Sequence, residues 1–221
     1  MYILHIETSV KTCSVALAKE GKTIDIKESH PSGFEHSESL NIFIESILSE
    51  NNIKLKDLAA IAIGSGPGSY TGLRIGTATA KGLCYALDIP LISINSLEIM
   101  IQKFHSENKI SNYDYIIPMI DARRMEVYDA IYDNTLNQIE QPVARIIDED
   151  SFTHLDGSIL LFGEGADKLT AVNFKKNINI HSNFKTSASG MCRVAYKKFL
   201  ANEFEDLAYF DPIYLKEFQA G

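Results

Sequence analysis

An α/β fold built on a mixed sheet flanked by helices is predicted from three observations. Apolar runs over residues 1–94 follow the order β-β-β-α-β-α-β, a glycine-rich turn joins a strand to a helix at 64–76, and the second half looks like a reduced copy of the first. The strands "YILHIETS", "CSVALAK" and "TIDIKES" come first, with "EGK" (Glu20 to Lys22) as the turn between the last two, and read as an antiparallel meander. After the breaker "HPSGFEH", the segment from Ser37 to Glu50 places Leu40, Phe43, Ile44, Ile47 and Leu48 at helical spacing. A strand at Leu58 to Ile63, the loop "GSGPGSYTGLRIG", a helix from Thr71 to Leu87 and a strand at Pro90 to Ile94 follow.

From Gln102 to Asn112 the sequence turns polar, which predicts a domain boundary. Beyond it, "YIIPMID" and "MEVYDAIYD" form a strand pair around "ARR", "SILLFG" a later strand, and Ala188 to Leu200 a helix. The two halves are not alike residue by residue, so duplication is here a matter of topology alone.

Composition narrows the function classes. The 221 residues are 45% hydrophobic, ample for a core, and carry a formal charge of -8, which argues against a surface that grips polyanions by a clustered excess of Lys and Arg. Cys13, Cys84 and Cys192 are an odd set with no C-x-x-C spacing, so neither a disulfide framework nor a zinc site is expected, and a reduced cytoplasm is the natural compartment. The start, "MYILHIETSV", lacks a basic leader, and no window reaches a membrane-spanning length; no membrane association is expected.

The glycine loop invites a phosphate-binding reading, yet it matches neither G-x-x-x-x-G-K-[ST] nor G-x-G-x-x-G. What remains is a tight strand-to-helix turn with Pro67 between glycines and Ser69 or Thr71 placed to cap the helix. In that helix Gly72, Gly76 and Ala80 recur every four residues and share a face. Interior glycines cost about 1 kcal/mol each relative to Ala. The stripe therefore reads as a groove for close helix approach, within the chain or across an interface.

Four stretches, "GSGPGSYTGLRIGTATAKGL", "LHIETS", "IDARRMEVYDAIY" and the terminal "DPIYLKEF", resemble the TsaB (YeaZ) family of bacterial tRNA threonylcarbamoyladenosine biosynthesis proteins, nearly end to end. The resemblance implies two RNase H-like lobes of the actin/Hsp70-like (ASKHA) superfamily: residues 1–104, with 205–221 packing back on them, and a reduced second lobe at 105–204. It implies an accessory subunit of t6A synthesis that binds and organises TsaD and recruits TsaE, for threonylcarbamoyl transfer to the adenosine beside the anticodon of tRNAs reading ANN codons. Without TsaD the same surface supports a homodimer, and tRNA is held mainly through the partners.

The resemblance extends to the catalytic relative TsaD, whose H-x-E-x-H metal helix falls here on "INSLEIM", with Ser96 and Met100 in place of the histidines and only Glu98 retained. His36 is followed at i+4 by Leu40 and does not substitute. The D-x-G-T turn of superfamily kinases reads "HIETSVKT", with Glu7 for Asp and no glycine for phosphate approach. No catalytic residue and no cofactor of its own are therefore expected, ATP and a metal ion being bound by partners or at the subunit junction. A metallopeptidase or an autonomous ATPase is the alternative. Leu40, Phe43, Ile44, Ile47, Gly72, Arg74, Gly76 and Ala80 are the expected partner interface. Glu7, Asp121, Arg123 and Arg124 are candidate nucleotide or tRNA contacts, while "GEGADK" (Gly163 to Lys168) reads as a plain turn.

Overall fold

The computed structural model describes residues 1–29 and 36–217, with side chains from Ser39 onward in the second stretch; most of the breaker "HPSGFEH" and the His36 side chain lie outside the described residues. In chain order the elements are β1 (Tyr2–Glu7), β2 (Cys13–Lys19), β3 (Lys22–Ser29), α1 (His36–Glu50), β4 (Leu58–Gly64), α2 (Tyr70–Leu87), β5 (Leu91–Ile94) and α3 (Ser96–Glu107). They continue with β6 (Tyr115–Asp121), β7 (Glu126–Asp133), β8 (Gln138–Ile146), β9 (Ile159–Phe162), α4 (Glu164–Asp167), β10 (Ile178–His181) and α5 (Cys192–Leu200). Two compact units result: Met1–Ile99 with Thr186–Tyr214, and Met100–Lys185 with the chain from Leu215.

In the first unit the sheet order is β3-β2-β1-β4-β5, with β1 antiparallel to β2 and parallel to β4. The β2–β3 turn is made by Glu20 and Gly21, both at positive φ (54° and 76°), the twist a tight hairpin requires. Alternation along the strands sends Leu4, Ile6, Val15, Leu17, Ile61 and Ile63 to one face, where Leu40, Ile44, Ile47 and Leu48 of α1 and Ala80 and Cys84 of α2 cover them. The opposite face is shallow, with Ala16, Ala18, Ala60 and Ala62 beside Ile3, and it admits Ala188, Met191, Cys192 and Ala195 at close range.

That packing corrects the expected division of the chain. Residues 186–204, assigned from sequence to the second lobe, belong with the first unit because the apolar side of α5 is buried against its alanine-rich face. The polar run from Gln102, where a boundary is expected, lies close to the division between Ile99 and Met100, but it is not a break in secondary structure. It is the solvated side of α3, which continues to Glu107, with Phe104 buried and a Lys103–Glu107 pair at 2.5 Å outside.

The second unit has strand order β10-β9-β6-β7-β8, with β6, β7 and β8 antiparallel and β9 and β10 parallel to β6. Counted from its own first strand this is the arrangement of the first sheet. Within it Phe104, Phe162, Phe184 and His181 form an aromatic cluster with ring centroids 4.2 to 5.6 Å apart. Strands β8 and β10 escaped the sequence reading: both are edge strands, β8 is broken by polar residues and Pro142, and β10, though it alternates Ile with polar residues, is only four residues long.

Candidate functional site

Strand β1 ends in the turn Glu7-Thr8-Ser9, and all three residues are fully buried. They are buried because the glycine loop and the start of α2 close over them. The Ser69 amide donates to the Ser9 carbonyl at 2.6 Å, and the Thr8 hydroxyl donates to the Gly72 carbonyl at 2.8 Å. A methyl group added at Gly64 would overlap the Glu7 carboxylate, at Gly68 the Ser9 carbonyl, at Gly72 the Thr8 carbonyl and at Gly76 the Thr8 hydroxyl. The glycine spacing is therefore accounted for inside the chain: each residue leaves room for one part of the Glu7-Thr8-Ser9 turn.

The Glu7 carboxylate folds back on this turn and accepts the Ser9 amide at 2.6 Å. Beside it the Cys13 thiol is pushed up to about 12, first by burial and then by the Glu7 charge. The turn thus packs directly against the glycine loop and the first turn of α2. Ser69 caps α2 by accepting from the Gly72 amide, the role expected of Ser69 or Thr71, and Gly66–Pro67 is a cis peptide.

Ser96 is also bound into the loop. Its hydroxyl accepts from the Gly66 amide at 3.1 Å while its own amide donates to the Gly66 carbonyl at 2.9 Å. The position that aligns with a metal histidine therefore pins the glycine loop. Burial pushes the Glu98 carboxyl up, and the ammonium groups of Lys198 and Lys197 work against it. Met100 is fully buried, and among the described residues no three His, Cys, Asp or Glu side chains converge on a metal position.

The tail completes the first unit. The Glu205 amide donates to Leu91 at 2.9 Å, Lys81 donates to the Phe210 carbonyl at 2.9 Å, and the Ile213 amide reaches the Ser65 carbonyl at 2.7 Å. The Tyr214 ring packs on that of Tyr70, tilted by 39° with centroids 4.7 Å apart, and the Arg74 guanidinium lies over the Tyr70 ring, 4.2 Å from its centre. From Leu215 the tail belongs to the second unit, a change of side that its composition does not signal.

These contacts redistribute the residues expected at a partner interface. Leu40, Ile44 and Ile47 are 1%, 7% and 0% exposed and Phe43 packs beside them, so the apolar side of α1 is core. Gly72, Gly76 and Ala80 are buried against β1 and the sheet rather than open to a partner helix, because their row faces inward. Of that set only Arg74 is exposed. The outward residues are others: Ile42 of α1 is 63% exposed and Tyr85 of α2 is 83% exposed. Gly82, roughly 120° around the helix from Gly76 at 100° per residue, has nothing within 4 Å of the Cβ it lacks.

In the second unit Asp121, Arg123 and Arg124 are brought together at the β6–β7 turn, all exposed, with both arginines at positive φ (73° and 49°). The Ala122 and Glu126 backbones close the turn with bonds of 3.1 Å from Ala122 to Glu126 and from Glu126 to Arg123. Lys168 pairs with Asp121, so one residue of "GEGADK" joins the "IDARR" turn. The glycines of that segment serve packing, Gly165 lying against the Ile120 backbone, and α4 is a single turn. Lys216 pairs with Glu126. The sequence reading missed this convergence, since Lys168 and Lys216 are remote from the turn in the chain and nothing in "GEGADK" or "DPIYLKEF" signals that they meet it.

Two sheets of identical 3-2-1-4-5 order, each with three antiparallel strands followed by two parallel ones, define a protein of two RNase H-like lobes in the actin/Hsp70-like class. Its first glycine loop is closed over the end of its own first strand. A family model described as TsaD, tRNA N6-adenosine threonylcarbamoyltransferase, matches residues 32–220. The tRNA threonylcarbamoyladenosine biosynthesis protein TsaB of Escherichia coli (strain K12) is 29% identical over 98% of this chain and 95% of that protein. TsaB of Buchnera aphidicola subsp. Schizaphis graminum is 32% identical over 79% of this chain and 83% of its own length. YeaZ from Pseudomonas aeruginosa superimposes with a TM-score of 0.80 at 23% identity, covering 97% of this chain and 99% of that one. The chain belongs to the TsaB (YeaZ) family and takes part in the synthesis of threonylcarbamoyladenosine in tRNA. Among the described residues no helix is long and apolar enough to cross a membrane.

Proposed function

We propose that the chain is a non-catalytic subunit of the t6A-forming assembly, binding and organising a TsaD-type transferase and recruiting the TsaE ATPase, with ATP and metal held by those partners or at the junction with them. The observation that carries this reading is the Glu7-Thr8-Ser9 turn, which occupies the space beneath the glycine loop with the chain's own backbone and carboxylate. A phosphate needs those loop amides free and that space open. In support, the positions of the metal histidines hold Ser96, bonded to the loop, and buried Met100. Reconstitution tests it. Product on unmodified tRNA, with TsaD, TsaE, the adenylate-forming enzyme, ATP, bicarbonate and threonine, is expected only when this chain is added, while the chain alone turns over no ATP. Equal product without it would refute the accessory role.

The docking face for the transferase is the outward side of α2 with the exposed edge of α1: Arg74, Gly82, Tyr85 and Ile42. Gly82 is the telling residue. A glycine inside a helix costs about 1 kcal/mol relative to Ala, and nothing within the chain requires this one. Close approach of a partner helix does, and the same face serves a homodimer when the transferase is absent. Gly82→Leu is expected to leave the thermal midpoint unchanged or slightly raised and to weaken co-elution with the transferase at least ~10-fold, about 1.4 kcal/mol. Undiminished co-elution would remove α2 from the interface.

A further inference from the structure

The β6–β7 turn carries an uncompensated pair of cations in a protein whose formal charge is -8. Asp121 is matched by Lys168, and Glu126 by Lys216, so the acidic groups of the turn are already neutralised. Arg123 and Arg124 have no ion-pair partner among the described residues, and both are exposed. The turn is a three-residue connection, Arg123 to Met125, closed by the Glu126 amide on the Arg123 carbonyl, and both arginines take left-handed backbone within it, which sets where they leave the surface. Lys168 is also anchored, donating to the Glu126 carbonyl at 2.6 Å, and the Tyr128 phenol lies within the field of Lys216, Glu126 and Arg123.

We propose that this turn is a seat for the RNA phosphate backbone, with Arg123 and Arg124 as the contacting groups and Lys168 and Lys216 as the cations that offset Asp121 and Glu126. Guanidinium forks match phosphate oxygens bidentately, and arginine is the side chain suited to that contact. Two classes of phosphate compete for such a site. A nucleotide site encloses most of its ligand, whereas Asp121, Arg123, Arg124 and Met125 are all exposed around the tip of a hairpin. An exposed, cationic tip suits a polymer that passes over it. Because the rest of the chain is acidic, the seat orients RNA locally and contributes little affinity by itself.

The proposal rests on the t6A reading for the identity of the RNA, and its test is separate from the reconstitution above. The full chain and Arg123→Asn/Arg124→Asn, whose side chains tolerate the left-handed backbone, are titrated with fluorescent unmodified tRNA across a salt series. Wild-type binding is expected to weaken with salt. The double variant is expected to bind ~3- to 10-fold less tightly at low salt, with the slope of log affinity against log salt reduced by about 1 to 2, at roughly 0.7 to 0.9 per phosphate contact. Circular dichroism and co-elution with the transferase should not change.

Identical affinity and slope in the two proteins, or no salt-dependent tRNA binding by the wild type, would overturn the seat while leaving the accessory role standing. A parallel ATP titration separates the two phosphate sources. Loss of ATP binding in the variant, with tRNA binding untouched, would make the site a nucleotide contact and also overturn the proposal.

Discussion

Gly76→Leu is expected to prevent folding rather than to separate a folded monomer from its partner. A side chain at this position would be driven into the Thr8 hydroxyl, which is bonded to the Gly72 carbonyl, and then into Ile63, 3.1 Å from the missing Cβ. Neither neighbour has room to move: Thr8 and Ile63 are both fully buried, and Ile63 lies on an interior strand of the sheet, paired on both sides. The expected loss exceeds about 4 kcal/mol, a large part of the 5 to 15 kcal/mol typical of a domain. Soluble yield, far-ultraviolet circular dichroism and a urea midpoint measure it. Gly82→Leu on the same helix is the internal control, since it adds the same side chain where nothing is met. Equal midpoints for the two variants would mean that the Gly76 row is not packed against β1.

His5 should make the fold sensitive to mild acid. It is fully buried in β1, between Ala16 of β2 and Ala62 of β4. Its Nδ1 lies 3.2 Å from the Ala16 carbonyl, an atom that can only accept, so Nδ1 carries the proton; Nε2 is buried without a hydrogen-bond partner. Burial lowers its pKa from 6.5 to about 4, against the raising effect of backbone carbonyls. Between those values the unfolded chain binds a proton that the native chain refuses, so stability rises with pH. The contribution of neutral His5 is complete above about 6.5 and is lost as pH falls toward 4, a change of about 3 kcal/mol at 1.36 kcal/mol per pKa unit. Carboxylates titrate in part of the same range, so the informative quantity is the difference between wild type and His5→Leu in urea midpoints from pH 7 to pH 4. The wild type should lose the additional stability, and parallel curves would show that His5 titrates normally.

Some of this was legible in the residues alone. The succession of elements in the first unit, including the α1 and α2 helices and the turn after β4, follows from period-two and period-3.6 patterning, because each element is amphipathic against one core. The absence of nucleotide motifs and the replacement of two metal histidines by Ser96 and Met100 could be read without coordinates, and so could the family, whose signature lies in long contiguous segments. The small stripe of Gly72, Gly76 and Ala80 was visible as a stripe, yet its direction was not.

Spacing places residues on one face of a helix but is silent on what that face meets. The sheet met it first: Thr8 lies beneath Gly72 and Gly76, which turns the stripe inward and leaves Gly82, Tyr85 and Ile42 outside. The assignment of residues 186–204 failed for the same reason, since an amphipathic α5 fits either lobe until the alanine-rich face of the first sheet accepts it. Asp121, Lys168, Glu126 and Lys216 are likewise joined by the fold and not by the chain. The sequence determined the family, the elements and the lack of the usual phosphate and metal motifs, since these depend on local pattern. Tertiary structure alone decided which surfaces remain free to bind, because a surface is whatever the chain's own packing has not already covered.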